Sequence, residues 1–168
     1  LSESVEIAKD LAWNLLPTEK RKNLFEDEKY GFHIHFPSGA VPKDGPSAGA
    51  AITCAILSRL ANLPLRHDVA VTGEIDSLGV ITVVGGIKEK LQAAKDRDVK
   101  VVFIPKGCKE QLDELMDDDP DCVARVHEKS PEVLDFTNEG LQVVFVDSIK
   151  EVTQHVFLDK PSHLSAVA

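Results

Sequence analysis

The sequence predicts a single α/β domain of the α+β kind, a mixed, twisted sheet with helices packed around it. Three observations point there. Segments with strand-like apolar alternation and segments with helical apolar spacing follow one another along the chain. One predicted helix, 47–60, is apolar around most of its circumference, so it needs neighbours on every side. The chain has 168 residues at 43% hydrophobic and 28% charged content, which suits one soluble core.

Taken in order, Val5, Ala8, Leu11, Ala12 and Leu15 form the apolar face of a helix over 2–16, and Pro17 ends it. A charged linker follows. Phe32, Ile34 and Phe36 alternate with His33 and His35, which predicts a strand. The 47–60 helix carries Ala48, Ala50, Ala51, Ile52, Cys54, Ala55, Ile56 and Leu57 with no charge before Arg59, and is expected at the centre. Strands are predicted at 69–72 and 78–84 around a turn at Asp76-Ser77, then a helix from Ile87, then a β-rich run at 99–104. A helix near 109–116, a strand at 141–146 and a helix at 148–157 complete the domain, set at 1–160 with a tail at 161–168. No internal repeat is found.

Two motifs carry chemistry. In Pro42-Lys43-Asp44-Gly45-Pro46-Ser47-Ala48-Gly49 a single hydroxyl stands between rigid and flexible backbone at a helix start. Prolines fix φ, glycines permit close approach, and the free N–H groups of a helix start suit a developing oxyanion. A lone Ser before an apolar run is ordinarily an N-cap, so Ser47 needs a second feature to be a nucleophile. Gly85-Gly86-Ile87-Lys88-Glu89-Lys90 supplies it. Ile87, Lys90, Leu91 and Ala94 follow a buried stripe, while Lys88 falls on a solvated face. Lys90 is thus expected to point inward, where desolvation favours the neutral amine that a general base needs.

These motifs, with Thr72-Gly73-Glu74 between them, resemble the proteolytic domain of Lon proteases. The likeness is strongest over 32–104 and looser through the last strand and helix. It implies the Lon proteolytic domain or ribosomal protein S5 domain 2-like fold, with an N-terminal hairpin that this chain, starting at Leu1, is expected to lack as an excised fragment. It also implies a serine endopeptidase of ATP-dependent type in which Ser47 is the nucleophile and Lys90 the base, 43 residues apart (90 − 47). Thr72 would orient the lysine as the matching threonine does in the family, although a strand threonine needs no function. Asp44 and Glu74 are further supporting candidates, Asp44 being equally a turn residue before Gly45. A solvated strand face explains His33 and His35 without a role, and closeness to the loop keeps them as supporting candidates. The backbone N–H groups of Ser47 and Ala48 are the oxyanion candidates.

The resemblance further implies a homo-hexamer whose sites face a chamber, fed with unfolded polypeptides by the protein's own ATPase module, to which ATP and Mg belong. No cofactor is expected in this domain, and no P-loop is present. The net charge of −9 argues against nucleic acid or an anionic membrane as this domain's partner. Cys54, Cys108 and Cys122 lack metal or redox spacing and read as free thiols in a reducing compartment. The acidic run 117–121 reads as a solvated insertion, because nothing fixes its carboxylates into a metal site. The segment 139–146 resembles mitochondrial-type more than bacterial Lon, which implies the mitochondrial matrix, with bacterial cytoplasm or peroxisome as alternatives. Two other functions are carried: a non-catalytic assembly module of the same fold, and a small-molecule kinase whose phosphate-binding loop is 45–49.

Overall fold

A computed structural model describes residues 2–26, 33–36, 45–118, 124–127, 130–136 and 140–159. A five-stranded sheet runs in the order β1 (Val69–Val71), β4 (Val101–Pro105), β7 (Leu141–Val146), β6 (Ser130–Phe136) and β5 (Ala124–His127). The first three strands are parallel and the last two pairings antiparallel, so the sheet is mixed. A separate two-stranded hairpin pairs β2 (Glu74–Ile75) with β3 (Ile81–Thr82).

The strand pattern explains how one sheet holds two cores. Along β4, Phe103 faces one cluster, with α1 (Ser2–Leu15), α3 (Gly49–Ala61) and α6 (Ile149–Thr153), whereas Val102 and Ile104 face another. That second cluster contains Ile87, Leu91 and Ala94 of α4 (Ile87–Lys95) and Leu112 of α5 (Lys109–Asp118). Alternate residues of a strand point to opposite faces, so a central parallel strand covered on both sides must be apolar throughout. Val101 to Pro105 satisfy this, and Phe103 and Ile104 are almost completely buried. Each such side chain contributes about 1.5–3 kcal/mol relative to exposure.

α1 buries Ala8, Leu11, Ala12 and Leu15 against α3, as its periodicity predicts, and Val5 is partly buried beside them. α3 buries Gly49, Ala50, Ile52, Thr53, Cys54, Ile56, Leu57 and Ala61, which makes it the central helix. It starts at Gly49 instead of Ser47 and ends on Asn62 in the left-handed region (φ 54°), where Leu63 N–H bonds the Ser58 carbonyl.

Several expectations are corrected. The charged linker contains a helix, α2 (Thr18–Glu26), held to the end of α3 by Lys20 Nζ on the Ala61 carbonyl at 2.6 Å. Its Glu, Lys and Arg residues favour helix without making an apolar stripe, and Pro17 precedes its first turn as well as ending α1. Residues 33–36 belong to no strand ladder among the described residues, though Ile34 and Phe36 still pack on the core. The strand at 69–71 pairs with β4 and not across the Asp76 turn, where only Ile81–Thr82 pairs with Glu74–Ile75. Asp76 Oδ1 accepts from the Leu78 and Val80 N–H groups, both at 2.9 Å, and this cap takes the turn out to residue 80. The β5–β6 hairpin was not anticipated. The last helix is shorter than 148–157, with Ser148 as its N-cap. Part of the acidic run and the whole 161–168 tail lie outside the described residues.

Candidate active site

Ser47 sits in a turn two residues before α3, half-buried, after the exposed Pro46. It is not the helix cap: Ala48 holds that position and no side chain caps the helix. The ordinary structural role for a serine here is therefore unfilled, and the backbone does the anchoring. The Ser47 carbonyl accepts from Gly73 N–H at 2.9 Å and from Thr72 Oγ1 at 3.3 Å. Ala50 N–H returns to the Gly73 carbonyl at 3.2 Å, and Gly49 N–H closes the turn on Pro46 at 3.0 Å. Ser47 to Ala50 are thus laced to Thr72-Gly73 by bonds from both sides.

Two glycines make the lacing possible. A Cβ on Gly49 would stand 2.7 Å from Ile75 Cγ2, and one on Gly73 would run into Ile81 Cγ2. Backbone hydrogen bonds at this closeness need both Cβ atoms absent. Gly45, at φ +108°, opens the turn in a conformation that side-chain-bearing residues avoid. Within α3, Thr53 Oγ1 bonds the Gly49 carbonyl at 2.9 Å and continues the anchoring into the core.

Lys90 lies in the first turn of α4, four residues after the left-handed N-cap Gly86 (φ 69°). Its Nζ donates to the Gly85 carbonyl at 2.8 Å. Ile87, Leu91 and Ala94 fill the buried stripe as expected, but Lys90 itself is half-exposed. A helical side chain points toward the N-terminus, and the long lysine stem carries the amine out of the stripe to a carbonyl at the helix start. Lys88 is exposed.

The structure places the remaining candidates differently. Thr72 is buried, and its hydroxyl goes to the Ser47 backbone. Glu74 is half-buried on β2, opposite Thr82. His33 and His35 are exposed, and Asp44 lies outside the described residues. Among the described residues Ser47 and Ala48 N–H have no backbone acceptor, and no hydrogen bond joins Ser47 to Lys90. Gly73 was missed as a site residue; the signal was its position directly after Thr72 in Thr72-Gly73-Glu74.

Other chemistry has little footing nearby. Burial pushes the Cys54 thiol up to about 12, which removes it as a nucleophile near neutral pH. Among the described residues no group of three or more His, Cys, Asp or Glu side chains is placed to share a metal ion. No helix among them is long and apolar enough to cross a membrane.

A serine on a backbone-anchored turn and a lysine at a Gly-Gly helix start, carried by a mixed α/β domain, suit the class of serine peptidases. Comparison with known proteins agrees with this class. Residues 1–159 match the family profile of the Lon protease (S16) C-terminal proteolytic domain. Over 154 residues, 92% of the chain, it is 39% identical to a Lon protease of Fervidobacterium nodosum and covers 16% of that protein. It is 36% identical over 158 residues, 94% of the chain, to Lon protease homolog 4, chloroplastic/mitochondrial, of Arabidopsis thaliana, covering 15% of it. It is 44% identical over 118 residues, 70% of the chain, to Lon protease homolog 2, peroxisomal, of Caenorhabditis elegans, again covering 15%. The chain belongs to the Lon protease family, as its proteolytic domain. It spans about a sixth of the length of these relatives.

Proposed function

We propose that this domain cleaves peptide bonds through a Ser47–Lys90 dyad, as the proteolytic part of an ATP-dependent enzyme. Neutral Lys90 takes the Ser47 Oγ proton while Oγ attacks the scissile carbonyl. The oxyanion is received by the Ser47 and Ala48 N–H groups. The lysine ammonium then protonates the leaving amine, and a water activated by the same lysine hydrolyses the acyl-enzyme. The Lys90 bond to the Gly85 carbonyl is the resting arrangement on this reading; the reaction needs Nζ to exchange that partner for Ser47 Oγ, a movement the flexible four-carbon stem allows.

The observation that carries the reading is that Ser47 is held by its own carbonyl and not by its hydroxyl, which stays free of the capping duty. Family membership sets aside the phosphate-loop alternative for 45–49. The non-catalytic module is disfavoured because Ser47 and Lys90 are both present.

Around the domain we place a homo-hexamer of the full protein, unfolded polypeptides as substrates, and an ATPase module that uses ATP and Mg to deliver them. Relatives named mitochondrial, chloroplastic, peroxisomal and simply bacterial leave several compartments compatible, of which we favour the mitochondrial matrix. The test is hydrolysis of an unfolded protein substrate by the full-length enzyme. Ser47→Ala and Lys90→Ala each abolish it with the fold intact, and Lys88→Ala is mild. Full activity in either dyad variant overturns the assignment.

A further inference from the structure

Within the turn that presents Lys90, Lys90 N–H bonds the Gly86 carbonyl at 3.1 Å and Nζ bonds the Gly85 carbonyl at 2.8 Å. Gly85 has open space where a Cβ would stand, and Gly86 takes φ +69°, so the last two of the four residues between β3 and α4 have wide conformational freedom. A further restraint comes from the opposite side, from the short 3-10 turn Lys106–Cys108 and the start of α5.

There Val84 N–H donates to Cys108 Sγ at 3.4 Å, and the Cys108 thiol donates back to the Val84 carbonyl at 3.5 Å. Gln111 Nε2 donates to that same carbonyl at 3.0 Å. Gly107 seats against Val83, and a Cβ on it would run into Val83 Cγ2. Cys108 is fully buried, which gives it no access to solvent chemistry, while Val84 is 7% exposed and its backbone groups need internal partners. A thiol is a weak donor and acceptor, but here it serves both polar groups of one peptide strand position at once.

We propose that Cys108 and Gln111 are positioning residues for Lys90. By pinning Val84 they limit where the Gly85 carbonyl on the next peptide, on which Lys90 Nζ rests, can stand, and so bear on the path of the amine to Ser47. The inference rests on the dyad reading above. Glu89 is the charged neighbour sharing this turn: its Oε2 and Lys90 Nζ lie 3.3 and 3.6 Å from the place of a Gly86 Cβ, and it stays unchanged in every variant below.

The experiment is single-turnover acylation of the full-length enzyme by a short activated peptide, followed from neutral to alkaline pH. The variants are Cys108→Ser, Cys108→Ala, Gln111→Ala and Lys90→Ala. Cys108→Ala and Gln111→Ala slow acylation about 10-fold, inside the 10²-fold that an ångström of misplacement costs. They move the pH midpoint of the rate and leave the peptide concentration for half-maximal acylation unchanged. Cys108→Ser keeps the wild-type profile, because a hydroxyl also donates and accepts. If Cys108→Ala fails to fold, the half-buried Gln111→Ala alone decides. Wild-type rate and midpoint in the folded alanine variants, with only a lowered melting temperature, overturn the proposal. An inert Lys90→Ala beside such wild-type-like variants confines the failure to the positioning role. An active Lys90→Ala removes the dyad itself and the proposal with it.

Discussion

The two halves of the site are built on different principles. Ser47 is held by main-chain bonds to Gly73 and within its own turn, with Thr72 as the one side chain among the described residues, and glycines at 49 and 73 bring the backbones together. Lys90 stands on a two-glycine turn that side chains hold from another part of the fold, through Cys108 and Gln111 on Val84. Backbone lacing leaves few degrees of freedom and preorganises a nucleophile. A lysine that must change partners during a reaction is better served by a turn whose placement is adjustable. On the proposed dyad, the nucleophile is fixed and the base is tethered.

The largest break of this contrast is loss of either group of the proposed dyad. Ser47→Ala and Lys90→Ala each lower peptide hydrolysis by on the order of 10⁴-fold or more, and the double variant is hardly worse, since residues acting as a unit are not additive. Steady-state rates on an unfolded substrate check this. Next comes Gly73→Ala, whose Cβ meets Ile81 Cγ2 and presses the lacing apart. Overpacking of this kind costs about 1–3 kcal/mol, read from denaturant unfolding, and acylation should fall beyond what the unfolded fraction explains.

Thr72→Val sharpens the comparison more gently. It removes the hydroxyl bond to the Ser47 carbonyl but leaves that carbonyl bonded to Gly73 N–H. The expected loss is about 0.5–1.5 kcal/mol in stability, with a few-fold drop in kcat. A much larger drop in kcat at unchanged stability would assign Thr72 to the lysine, as the family resemblance implied.

The smallest effect lies away from the site. Arg66 donates to both oxygens of Asp68, at 3.0 and 2.8 Å. Those hydrogen bonds, and then the Arg66 charge against an opposing desolvation, hold the Asp68 carboxyl below the usual carboxylate range. Because the folded value is the depressed one, the pair's contribution is complete above the ordinary value of about 3.9 and is lost as pH falls through the folded value. Asp68→Asn should cost about 1 kcal/mol or less near neutrality, with the deficit shrinking on acidification in melts against pH.

What was legible in the sequence follows the same division. The apolar run of α3, the strand-like run of β7 and the Gly/Pro punctuation around Ser47 are local signals, and local backbone chemistry produces the features they predict. The stripe of α4 was also legible, yet it put Lys90 inward; the stem length that lets Nζ reach Gly85 is not contained in a periodicity. α2 escaped because its charged residues make a helix without an apolar face. The roles of Gly73 and Cys108 depend on segments 24 or more residues away, and only the fold brings those together.

The most direct test of the central claim is covalent labelling of the assembled full-length enzyme with a peptide boronate or a fluorophosphonate, followed by mass mapping of the fluorophosphonate adduct and competition by the boronate. The account predicts a single adduct on Ser47, protected by the boronate, and formed far more slowly in Lys90→Ala. An adduct on another residue, or Ser47 labelling at the wild-type rate in Lys90→Ala, would contradict it.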